Sequence, residues 1–159
     1  MSQRQLTLSP VQLTELRNIL AQFSQQADVH CALLADFSGQ DIVSWEARGA
    51  IDASTIAALS AGDMLATMEI GRMLGGRRAC NLIVQEHEDL TILISRVGDG
   101  LLLLLATAKD VPLGWARLAM KRSSERILNI VDAATLAPPP AAVNDEFARD
   151  FASQLDTLW

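Results

Sequence analysis

Few residues in this chain are of a type and spacing that could do chemistry. Cys31 and Cys80 each lie in apolar, strand-like surroundings. Neither has a second cysteine or histidine at the spacing of a zinc site, and His30 beside Cys31 makes a lone pair, short of a ligand set. Both thiols read as free and buried, behaving as small hydrophobes. His30 and His87 are the two histidines, both beside strand or turn positions. A general base working near neutral pH therefore has few candidates. Gly75-Gly76-Arg77-Arg78 could hold an anion by position and charge, but a helix stop followed by two solvated arginines accounts for the same residues. Glu86, Glu88 and Asp89 surround a hairpin turn and read as exposed negative charge. The chain has no GxxxxGK(S/T), GxSxG or HExxH pattern and no EF-hand loop. The expectation is no enzyme, no metal and no cofactor, which moves the weight toward an interaction module.

The composition narrows the partners. The chain has 159 residues, half of them hydrophobic, enough for one compact domain with a real core. Thirteen Lys and Arg against nineteen Asp and Glu give a formal charge of −6, which opposes broad contact with a phosphate backbone. No nucleic acid is expected. The opening "MSQRQLTLSP" lacks the apolar core of a signal peptide, so a cytoplasmic protein is expected. The run "LLLLLA" from Leu101 to Ala106 is far shorter than the roughly 20 residues a membrane span needs and reads as a buried strand.

The elements that must position any site follow from capping, turns and periodicity. "SPVQLTELRNILAQFSQQA" opens on Ser9 as N-cap, Pro10 at the first helical position and Gln12 three after the cap, a capping box. Leu13, Leu16, Leu20, Phe23 and Ala27 then form one apolar stripe. "VHCALLAD" and "DIVSWEA" read as strands joined through the Ser38-Gly39 turn. A helix follows, capped by Asp52 or Ser54 and stopped at Gly75-Gly76. Three strands come next, "ACNLIVQE", "LTILISR" and "LLLLLATA", with connections short enough to favour antiparallel pairing. "PLGWARLAMKRSSERILNIVDAA" is helical again, with Asp110 as a plausible cap, Pro112 early in the helix, and Leu113, Ala116, Met120, Ile127 and Ile130 on one side. The order αββαβββα predicts one antiparallel sheet with helices on its faces. The expected division is a domain over 1–136, a Pro-rich linker over 137–143 and an amphipathic helix over 144–159. In that last segment Asn144 is the cap, and Phe147, Phe151, Leu155 and Leu158 share one stripe suited to docking.

The second helix is the unusual one. "LSAGDMLATMEIGRMLGG", Leu59 to Gly76, is small or apolar around most of its circumference. Projected at 100° per residue, Ile56, Leu59, Ala66, Ile70 and Met73 share an arc suited to covering a sheet. Asp63 falls inside that arc, where a carboxylate needs a margin position or hydrogen-bond donors. The other arc holds Ala58, Ala61, Met64, Leu65 and Met68, bordered by Glu69 and Arg72, and predicts a protein interface. Ala58, Ala61 and Gly62 are small enough to let another backbone approach. Burial of this face under the chain's own C-terminal helix is the alternative.

"CALLADFSGQDIVS", "LSAGDMLATMEIGRMLGG" and "PLGWARLAMKRSSERI", in that order over about Leu13 to Val131, resemble the roadblock/dynein light-chain family, in particular its bacterial MglB-like branch. The resemblance implies an α/β (α+β) fold, roadblock-like and akin to profilin and longin, with a five-stranded antiparallel sheet sandwiched by helices. It implies a homodimer whose sheets join through "ACNLIVQE" and whose second helices lie side by side, with Ala58, Gly62, Met64, Cys80, Leu82 and Val84 at the interface. It implies a non-catalytic regulator of a small Ras-like GTPase, one that stimulates the nucleotide cycle, with Ala61, Leu65, Met68, Glu69 and Arg72 facing the GTPase and the terminal helix able to touch it. The chain departs from the MglB-like pattern in its short link from Leu74 to Ala79, its Gly-Asp-Gly turn, and in Leu65 and Glu69, where small residues are common. Binding is thereby the firmer expectation than stimulation. Two rivals stand beside it: a dimerisation adaptor of a signalling or motor complex with no nucleotide-state preference, and a small-ligand or redox sensor using Cys31 or Cys80.

Overall fold

The structure is a computed structural model that describes residues 6–77, 80–136 and 153–154. Its elements are α1 (Pro10–Phe23), β1 (Val29–Asp36), β2 (Asp41–Glu46), α2 (Ala53–Met73), β3 (Leu82–Glu86), β4 (Leu90–Val97), β5 (Leu101–Ala108) and α3 (Leu113–Leu136). All strand pairs are antiparallel, in the order β2-β1-β5-β4-β3. The expected five-stranded sheet and the order αββαβββα are both present. Ser9 and Gln12 close the capping box on α1, and the helix buries Leu16, Ile19, Leu20 and Phe23.

β5 occupies the middle of the sheet, and seven of its eight residues are buried. Alternation along a strand sends successive side chains to opposite faces. Leu101, Leu103 and Leu105 enter the core under α1 and α3, while Leu102, Leu104 and Ala106 enter the core under α2. β1 divides the same way, Ala32 and Leu34 to the first core, Cys31, Leu33 and Ala35 to the second. The leucine run is a strand covered on both faces, as its length predicts.

α2 is the crossover that carries the chain from β2 on one edge of the sheet to β3 on the other. Its N-cap is Asp52, whose carboxylate accepts from Thr55 N at 3.1 Å and from the Thr55 hydroxyl at 2.6 Å. Those bonds hold the Asp52 carboxyl below the usual carboxylate range. The helix ends in a Schellman arrangement: Gly76 N donates to Gly71 O at 2.8 Å, Gly75 N donates to Arg72 O at 3.1 Å, and Gly75 takes a φ of 82°.

The facing expected for α2 is corrected. Ala57, Ser60, Ala61 and Met64 are the buried residues, with Ile56 and Met68 half-buried against the same core. Leu59, Ile70 and Met73, expected on the sheet, are exposed, as is Ala66. Ala61 and Met64, expected to await another chain, lie in the protein's own interior. Both arcs are apolar, so hydrophobicity could not choose between them. Close approach does: the face with the smaller side chains lets the helix sit low on the sheet. The turn at Asp36–Gln40 records how low. There Gly39 has φ 87°, and a Cβ on it would come within 2.8 Å of the Ala58 backbone. One Asp36 oxygen holds this turn by accepting from Ser38 N, the Ser38 hydroxyl and Gln40 N.

Asp63 has a partner that the sequence did not disclose. The Gln85 side-chain amide, on β3, donates to its carboxylate. This is the polar link between α2 and the edge strand.

Two smaller differences concern element ends. β3 begins at Leu82, short of Cys80 and Asn81, although Arg96 N still donates to Asn81 O at 2.9 Å. α3 begins after Pro112, whose carbonyl accepts from Ala116 N at 3.1 Å, and Asp110 is not its cap. Leu113 is more exposed than its place on the expected stripe implied. The linker over 137–143 and the docking residues Phe147, Phe151, Leu155 and Leu158 lie outside the described residues.

Replacing Gly39 by alanine combines an unfavourable positive φ with a backbone clash, so Gly39→Ala should lower unfolding stability by roughly 2–4 kcal/mol. A urea midpoint equal to that of the parent chain would contradict the close seating of α2. A double-mutant cycle of Asp63→Ala and Gln85→Ala should show a coupling of roughly 1–2 kcal/mol. Strict additivity would mean that the link contributes nothing.

Candidate protein-interaction surface

α2 has three sides. One is its sheet-facing side, described above. The second, pointing away from the sheet, carries Leu59 at 68%, Ile70 at 58% and Met73 at 74% exposure, with Ala66 among them. Counting Asp63 into the series, positions 59, 63, 66, 70 and 73 alternate steps of four and three, the spacing of a coiled-coil seam. The third side holds Leu65, half exposed, with Ala58, Glu69 and Arg72. Arg72 Nε donates to Glu69 Oε2 at 2.9 Å and its Nη2 to Glu69 Oε1 at 2.6 Å. The guanidinium draws the Glu69 carboxyl below its ordinary value, and the carboxylate raises the Arg72 guanidinium in turn. Both groups are solvated, so the pair orders the surface without adding much stability.

Asp63, bonded to Gln85, marks the flank of α2 that looks toward β3. At 100° per residue Ile70 lies about 20° from Asp63 around the helix, so the exposed seam leans toward that strand. β3 pairs with β4 on one side only and is an edge of the sheet. Its outer row of N–H and C=O groups is a template for another strand. Leu82 and Val84 turn toward the core under α1 and α3, while Cys80 and Ile83 turn toward the core under α2, all half-buried. The Cys80 thiol donates to Leu82 O at 3.5 Å. An exposed apolar seam and an open strand edge are thus tied through the Asp63–Gln85 bond, two features each of which favours association with another chain.

The expected site residues divide accordingly. Leu65, Glu69 and Arg72 come together on one outer side, whereas Met68 is half-buried on the core and Ala61 is interior. Ala58 and Gly62 are exposed, Cys80, Leu82 and Val84 lie at the edge strand, and Met64 is fully buried. Leu59, Ile70, Met73 and Leu74 were not assigned to the outer surface. The signal for them was present in the small residues Ala57, Ser60 and Ala61, which mark the side that seats closest.

The chemical candidates read differently in three dimensions. Cys31 is buried, and burial pushes its thiol up, with Glu46 adding to the shift. A thiol so held stays protonated and is a poor nucleophile, which argues against a redox role for it. Among the described residues no three His, Cys, Asp or Glu side chains are grouped to hold a metal ion. No helix among them is long and apolar enough to cross a membrane. Gly75 and Gly76 serve the helix stop, and Arg78 lies outside the described residues.

No protein-family model and no curated protein matches the sequence. Solved structures do. An MglB described as having a tetrameric arrangement is 25% identical, with a TM-score of 0.75 over 84% of this chain and 99% of the other. The gliding protein MglB of Thermus thermophilus is 26% identical, with a TM-score of 0.73 over 83% and 99%. A Roadblock/LC7 domain of Streptomyces avermitilis shares the fold at 16% identity, with a TM-score of 0.66 over 71% and 94%. In fold, therefore, this chain is a roadblock/LC7-type domain whose structural neighbours are MglB and Roadblock/LC7 domain proteins.

Proposed function

We propose that the chain is a homodimeric roadblock-type scaffold that binds a small Ras-like GTPase and modulates its nucleotide cycle without supplying a catalytic side chain. The observation that carries this reading is the exposed apolar seam of α2 together with the unpaired edge of β3, the two tied by the Asp63–Gln85 hydrogen bond. The likeness to MglB, one of which is described as tetrameric, supports self-association. The GTPase comes from the family that the sequence resembles.

In this reading two copies join across β3, with Cys80, Leu82 and Val84 at the seam between sheets and Gly62 admitting the partner helix, while Ala58, beside the β1–β2 turn and on the Leu65 side of α2, is taken out of that contact. Leu59, Ile70 and Met73 are added to that contact, and Met64 supports it from below. The GTPase meets Leu65, Glu69 and Arg72, backed by Ala61 and Met68. Contacts of this kind act by ordering the switch loops of the bound GTPase. The same machinery without nucleotide-state preference is a dimerisation adaptor, and the binding experiment separates the two.

Ile70→Arg places a charge in the apolar seam and should convert a dimer to a monomer by light scattering; an unchanged mass would remove Ile70 from the interface. Leu65→Arg should leave the dimer intact while weakening binding to a GTP-loaded small Ras-like GTPase by about 100-fold, the scale of losing one buried anchor. Equal affinity of the parent chain for GTP and GDP forms would favour the adaptor, and binding to neither would defeat the regulatory reading.

A further inference from the structure

The other face of the protein carries a feature that dimerisation through α2 and β3 leaves untouched. α1 and α3 pack side by side over the sheet, and between them runs an open furrow. At one end it encloses about 200 Å³ over Ile19, Phe23, Trp115, Leu118 and Ala119. At the other it encloses about 420 Å³ beside Asn18, Asn129 and Ile130. The two share Ile19, Gln22 and Arg126 and form one track. Leu118 stands on its rim, half exposed. The two helices run in opposite directions along it, since the end of α1 lies beside the start of α3. A chain leaving α3 at Leu136 therefore meets the furrow first at its Ile130 end.

The furrow is lined by two arginines of α3 and, at its Ile130 end, by one carboxylate of α1, Glu15. Arg117, Lys121 and Glu125, on the same stretch of α3, line a separate hollow beside β3 and β4. Arg122 and Arg126 line the track. Arg126 donates to Gln22 across it, and Arg122 has no ion pair among the described residues.

We propose that this furrow is the resting site of the chain's own C-terminal segment, residues 144–159, laid back along α3 with Phe147, Phe151, Leu155 and Leu158 toward the apolar floor. Three observations select this occupant. The segment's helical pattern gives it one apolar stripe, which matches a furrow floored by Phe23 and Trp115 and rimmed by Leu118. Its charge is complementary, with Asp145, Glu146, Asp150 and Asp156 against Arg149 alone. The tether reaches: the Pro-rich stretch 137–143 spans roughly 20 Å or more at about 3.1 Å per residue, whereas Arg126 lies only about 15 Å back along α3 from Leu136. A tether of seven residues keeps the segment at high effective concentration near the furrow. Docking there covers Trp115 and Leu118, and neutralises Arg122.

The test uses the full-length chain with Cys80→Ser. Leu118→Cys is combined either with Phe151→Cys, on the apolar stripe, or with Ser153→Cys, on the opposite side of the same segment. On mild oxidation the Phe151 pair should form an intrachain disulfide at least about tenfold faster than the Ser153 pair, because tether length is the same and only facing differs. Adding Arg122→Glu should slow the Phe151 pair several-fold, and so should high salt. Equal rates for the two pairs, or a disulfide that joins two chains instead of closing within one, would overturn the proposal. All the substitutions are at exposed or tail positions except the half-buried Cys80, and circular dichroism of each variant checks that the domain keeps its fold.

Discussion

The structure depends on the requirement that its middle strand be dry on both faces. β5 presents five consecutive leucines, and alternation divides them between two cores. A strand of that kind is unstable unless both faces of its sheet are covered, which fixes three layers before any other detail is considered. α1 and α3 supply one cover. α2 alone supplies the other, and this inequality shapes the rest of the molecule. A single helix crossing from the β2 edge to the β3 edge cannot shield a five-stranded sheet. It leaves half-buried hydrophobics near β3, such as Ile83 and Ile92. The face that one helix cannot finish is the face where a second chain is expected.

Most of the fold was legible because its signals are local. The capping box at Ser9 and Gln12, the alternation of β1, the leucine run of β5 and the short turns between the last three strands each specify an element without reference to its neighbours. Their order then limits the topology. Strand ends were less legible, since Cys80 and Asn81 keep strand-like composition and one ladder bond while lying outside the regular stretch.

The orientation of α2 was not legible from hydrophobicity. Its two apolar arcs differ in side-chain size, and the arc with the larger side chains looks like the better core although it also holds the carboxylate of Asp63. Packing reverses that judgement, because dispersion and burial reward close contact more than large side chains held at a distance. Ala57, Ser60 and Ala61 bring the helix axis near the sheet, and Met64 then fills the remaining depth. Of the expected partner-facing set, Leu65, Glu69 and Arg72 remain outside, whereas Ala61 was named for its smallness, a property that serves the protein's own sheet. A similar blindness affected Asp63. Its partner, Gln85, is 22 residues away in sequence, and nothing local announces a bond between a helix and an edge strand.

That bond also solves a problem created by smooth surfaces. Against the sheet the helix presents mainly the small Ala57, Ser60 and Ala61, whose shallow ridges leave Met64 and the Asp63–Gln85 bond to oppose sliding along its axis. Asp63 and Gln85 act as a detent. Displacing α2 by one residue would bring Gly62 or Met64 opposite the Gln85 amide, and a half-buried donor without an acceptor resists such a step. The sheet edge and the exposed helix seam are thereby kept in fixed phase, so that a partner meeting one of them finds the other at a constant offset.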